Sequence, residues 1–170
     1  MKNINATKKG VLAALVMIIL SLVFFYVLKY PVSGNNQIVI LLVYVAAVIW
    51  SLLSFKSADS DTLKFKDYFS EGFKTFVVIT LLMVIFTYVF YKFNPQILED
   101  GIKLNNELLQ KQGDHTPAEI EANSKKLRDI FLPMMTAINT LKYLIIGALV
   151  AAIGAGFLSQ KNKNNLQYSN

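Results

Sequence analysis

Cysteine is absent from the 170 residues, histidine occurs once, and only 16% of the side chains carry charge. Without cysteine neither a disulfide scaffold nor a thiolate metal site can form. The lone His115 has no His-Glu-x-x-His partner, and there is no Gly-x-Ser-x-Gly elbow or phosphate-cradling glycine loop. Charge is scarce for a soluble domain, where about a quarter of residues would be ionic. Apolar residues fill the space: they make up 54% of the chain, and mean hydropathy is +0.44. An ordinary soluble enzyme, a disordered chain and a secreted mini-domain are excluded together.

The apolar residues are concentrated. Val11–Leu28, Ile38–Phe55, Phe76–Tyr91 and Leu144–Leu158 contain no Asp, Glu, Lys, Arg or His. A hydrocarbon core about 30 Å thick needs about 20 helical residues. Backbone groups in lipid must bond within their own segment, so each run is expected as a helix. Ser51, Ser54, Thr80 and Thr87 can bond back to the preceding turn. The basic start (Lys2, Lys8, Lys9) would also suit a signal peptide. However, the 18-residue Val11–Leu28 run exceeds the usual apolar core, and Tyr26–Tyr30 offers no small-residue cleavage site. The reading is therefore an all-α membrane protein of one domain, residues 1–170. Four spans near 10–29, 37–56, 72–91 and 138–159 form an antiparallel bundle. Aromatic rings at Tyr26, Tyr30, Trp50, Tyr88, Tyr91 and Tyr143 mark the span ends.

Four spans place both termini on one side. That side and the connector 56–75 hold nine cations against four acids, whereas the other side holds eight against seven. The positive-inside bias therefore puts both termini in the cytoplasm. The sequence pI of 9.4 then signifies attraction to an anionic leaflet, not to nucleic acid.

The connectors differ in character. Pro31, Gly34, Asn35 and Asn36 form a tight turn between spans one and two. An amphipathic lead-in helix is expected over 62–71, with Phe65, Phe69, Gly72, Phe73 and Phe76 on one face. Lys64, Asp67, Glu71 and Lys74 would populate the other. Asp67, Glu71 and Lys74 are a candidate interfacial polar site; otherwise they are a solvated helix face with weak local pairing. Asp59 and Asp61 could touch a cation, but two carboxylates alone make a weak site.

The connector 94–132 reads as a polar two-helix excursion outside the membrane. Asn94-Pro95 starts its first helix, Gly113 stops it, and Thr116-Pro117-Ala118-Glu119 is a capping box opening the second. Pro133 marks a kink or break before span four. In span four Gly147, Ala151 and Ala155 line one face, a candidate packing surface for other spans or for a second copy.

The Tyr68-Phe69-Ser70-Glu71-Gly72-Phe73-Lys74 lead-in and the Phe93-Asn94-Pro95 exit flank span three. With the span spacing and the small-residue last span, they resemble the four-span bacterial membrane proteins of domain-of-unknown-function family 4199. The resemblance implies a bacterial cytoplasmic-membrane protein without an assigned activity, and carries over no catalytic residue. No cofactor or metal is expected, and the charge-free windows argue against ion-coupled transport. The expected role is non-enzymatic: an interaction or accessory protein of the inner membrane, with the bilayer as one partner and a protein docking on 94–132. The alternatives are a small transport or channel component that oligomerises through span four, and a lipid-modifying enzyme at Asp67 and Glu71.

Overall fold

The computed structural model describes residues 4–32, 34–55 and 63–168, the last seven by backbone alone. Among these all regular secondary structure is helical. Helix α1 (Ala6–Leu22) starts where the Asn5 side chain accepts the Lys8 N–H at 2.9 Å. It continues as a π-helical turn over Val23–Val27 and stops at Lys29, whose φ is 56°. Helix α2 covers Asn36–Leu53, α3 Phe65–Phe93, α4 Gln96–Gln112 and α5 Pro117–Tyr168. Four segments, Ala6–Val27, Asn36–Leu53, Phe65–Phe93 and Pro117–Lys161, are long and apolar enough to cross a membrane.

Sequence signals at several helix ends act as their chemistry requires. Gly113 adopts φ 76° and ends α4, a geometry that side-chain-bearing residues avoid. Thr116 and Glu119 form a reciprocal capping box: the Glu119 N–H donates to Thr116 Oγ1 and the Thr116 N–H to Glu119 Oε2. Asn94, the expected cap of α4, also reaches back to α3. Its Nδ2 donates to Phe90 O at 2.8 Å, closing α3, while its Oδ1 accepts from Gln96 Nε2. The lead-in segment and span three are one helix, and α5 runs across Pro133 without a break. At about 1.5 Å per residue, the 29 residues of α3 and the 52 of α5 each exceed a hydrocarbon core in length.

The chain divides into two compact units, Met1–Met83 with Leu141–Asn170, and Val84–Thr140. The first contains α1, α2, the start of α3 and the end of α5. Its interior is built on small side chains: Ala13, Ala14, Ala151 and Ala155 are buried beside Met17, Tyr44, Val48, Leu52 and Ile79. The outward face of α5 carries Ile145, Leu149, Ile153 and Phe157, the last 72% exposed. An apolar exterior around a tightly packed, partly polar interior suits lipid, where small residues let helices approach. Gly72 shows the tolerance: a Cβ there would lie 2.9 Å from the Ala151 Cβ and 3.0 Å from Leu52.

The second unit is a hairpin of α4 and the first part of α5, joined to the end of α3. Ile102 and Ile120 are buried, and Tyr91 meets Phe131 edge-on at 5.2 Å. Asn106 and Ser124 bond across the hairpin, as do Glu99 and Arg128.

Candidate functional site

A lysine at the start of α1 and a glutamate near the start of α3 are buried against each other. Lys9 and Glu71 retain only 3% and 8% of their exposure, and Lys9 Nζ donates to Glu71 Oε1 at 3.1 Å. The same ammonium donates to the Ser51 carbonyl near the end of α2 at 3.3 Å. Because α1 and α2 run antiparallel, these three positions meet at one end of the first unit. Thr75, one turn beyond Glu71, lies 2.6 Å from Ser51 by their hydroxyls, and its Oγ1 reaches Glu71 O at 3.1 Å. If the Ser51 hydroxyl donates to Thr75, Thr75 can donate to Glu71 O, so neither hydroxyl is stranded.

The pair exists because both helices present small or polar groups inward at the right step. Ala6, Lys9, Gly10, Ala13, Ala14 and Met17 share the buried face of α1. On α3 the buried face runs through Tyr68, Glu71, Gly72, Thr75, Phe76 and Ile79. Gly10 keeps the two helices close, since a Cβ there would lie 2.9 Å from the Thr75 carbonyl oxygen. An isolated charge in such a place would be expensive, while opposite charges in contact, with further hydrogen bonds, are tolerable. Chemically the arrangement is a closed polar cluster. It brings a lysine amine, a carboxyl group and two hydroxyls together at one end of an otherwise apolar packing.

The structure separates the three residues named from sequence as an interfacial site. Glu71 turns inward to Lys9, while Asp67 and Lys74 are exposed, and Asp67 Oδ2 accepts the Lys64 N–H at 2.9 Å. The inward face of α3 is therefore rotated from the expected one, leaving Phe65 and Phe73 outside. In lipid the exterior is the favourable place for phenylalanine, and Glu71 has a partner inside. Lys9, which reads from sequence as one of three N-terminal cations, was not foreseen. Its three- and four-residue spacing from Ala6 and Ala13 is the signal that could have revealed it.

Span four brings its candidate residues together on one buried line with Tyr143. Ala151 and Ala155 are fully buried, and a Cβ at Gly147 would run into the Tyr44 hydroxyl and the Phe76 ring. The space left by Gly147 admits Tyr44, whose hydroxyl donates to the Tyr143 carbonyl at 2.6 Å. This face is occupied within the chain. Asp59 and Asp61 lie outside the described residues. His115 borders an open groove of about 510 Å³ between α4 and α5, together with Gln110, Glu121 and the bonded Asn106, Ser124 and Arg128. Hydrogen bonds from the Arg128 guanidinium hold the exposed Glu99 carboxyl below its ordinary range. Among the described residues no three His, Asp or Glu side chains gather as a metal would need.

Neither a curated protein nor a solved structure matches the chain. A family model described as "Protein of unknown function (DUF4199)" matches residues 8–160. With nine-tenths of its length so matched, this multi-pass membrane protein belongs to that family.

Proposed function

We propose that the protein is a non-enzymatic interaction or accessory protein of a bacterial inner membrane, with both termini in the cytoplasm and the α4–α5 hairpin as its docking surface. One observation carries the reading. The hairpin is fastened by its own contacts, yet Leu104 and Leu108 stay 61% and 52% exposed on one face of α4. That helix is too polar to span a bilayer, with Glu99, Asp100, Lys103, Glu107 and Lys111 among its 17 residues. Neighbouring exposed leucines on a helix held in place by other residues suit a partner's apolar groove. A photo-crosslinking residue at position 104 or 108, activated in native membranes, should give one discrete protein adduct. The same probe at Gln110 should give none. Labelling that is equally diffuse at all three positions would contradict the reading.

The alternative is a small transport or channel component. What supports it is Lys9–Glu71, an ionisable pair inside the packing of the first unit. The reading is weakened because the Gly147–Ala151–Ala155 face, its proposed seam, is filled by residues of the same chain. Ion or solute flux into liposomes that is abolished by Glu71→Gln would favour it. Liposomes that stay tight with either chain would remove its support.

A further inference from the structure

We infer that the first unit holds one anionic phospholipid, with an acyl chain between α2 and α5 and the headgroup at Lys161. A groove of about 350 Å³ opens there, walled by Val45, Ile49 and Leu53 on α2 and by Val150, Gly154 and Phe157 on α5. That volume is at the lower end of the range for ligand sites. The lining is apolar throughout, so the groove takes hydrocarbon and gives a polar solute nothing to bond. At Gly154 the two walls come close: any Cβ there would press on the buried Leu52 side chain.

The headgroup assignment comes from what lies at the end of the groove. From Val150, steps of four, three and four residues along α5 pass Gly154 and Phe157 and arrive at Lys161, which is exposed. Lys163 follows two residues later in the sequence. A cation where an apolar groove meets the headgroup level matches a lipid with an acidic head on a hydrocarbon tail. A second copy of this chain fits less well. Threaded through the membrane in the same direction, it would bring its own lysines to the same end, where like charges repel.

Native mass spectrometry of the full chain in mild detergent tests this. The probes are phosphatidylglycerol and phosphatidylcholine with matched acyl chains, added at equal concentration. The wild-type chain should retain one phosphatidylglycerol about fivefold more than phosphatidylcholine, the preference one interfacial cation supplies. Lys161→Gln should erase that preference and leave retention of phosphatidylcholine unchanged. Val150→Trp, which fills the groove, should lower retention of both lipids. Ile49→Trp fills it from the other wall and serves if the first variant fails to fold. Equal retention of the two lipids by the wild-type chain would overturn the inference. So would undiminished retention in a folded tryptophan variant, or a dimer that forms on delipidation and is blocked by the same tryptophan.

Discussion

Among the described residues the two units each contain one ion pair between helices, and the two pairs sit in opposite surroundings. Lys9–Glu71 is buried, at 3.1 Å, within the packing of α1, α2 and α3. Glu99–Arg128 is a two-pronged contact of 2.8 and 2.9 Å whose side chains are half exposed. The shorter, better-formed pair is the weaker contributor. Water and salt screen exposed charges, and double-mutant measurements on such pairs give little. A buried charge that loses its partner keeps its desolvation cost, so the dependence of the fold on the pair is far larger. The first unit therefore depends on one cluster, and the second on several small contacts of which none is decisive.

That contrast can be broken, starting from the largest expected effect. Glu71→Ala leaves the Lys9 ammonium buried and unpaired and should destabilise the first unit by about 3–5 kcal/mol, read by thermal or SDS-induced unfolding in detergent. A loss no greater than that of Asp67→Ala would place Glu71 in solvent, against the geometry. Gly147→Leu should cost about 1–3 kcal/mol, because Tyr44 and Phe76 must both move; Gly156→Leu, with open space beside it, is the control. Comparable losses in the two would mean that span four packs by another face.

The smallest effect belongs to the hairpin and has a definite sign. The Glu99 carboxyl is held below its ordinary value of 4.5 by Arg128. Its contribution is thus fully present above 4.5 and is lost as pH falls through the lower value of the folded state. Corrected for the intrinsic pH dependence of exchange, amide protection near α4 should fall slightly on acidification below 4.5, and Glu99→Gln should remove that dependence. A large loss of protection between pH 7 and 5 would assign the titration to another group.

Much of the fold is legible in the sequence because lipid imposes a simple demand: an uninterrupted apolar helix wherever the chain crosses. The local signals at Gly113 and at Thr116 and Glu119 are legible too, since caps depend on neighbours in sequence. What is not legible depends on distant partners. Glu71 and Lys9 are 62 positions apart, and polar residues on a helix at the headgroup level read by default as the wet face. The grouping of Glu71 with Asp67 and Lys74 rests on that default, which fails when a buried partner exists. Pro133 leaves α5 unbroken because proline restricts the preceding residue without forbidding a helix held from both sides. Gly147, Ala151 and Ala155 announce close packing, but only the position of Tyr44 shows that the packing is internal.

A double-mutant cycle at Lys9 and Glu71 tests the central claim most directly, using Lys9→Met, Glu71→Leu and the two combined in the full chain. If the two side chains are buried partners, the double variant should be more stable than the sum of the single losses by more than about 2 kcal/mol. Strictly additive losses would mean that the two side chains do not meet, and the packing described for α1 and α3 would be wrong.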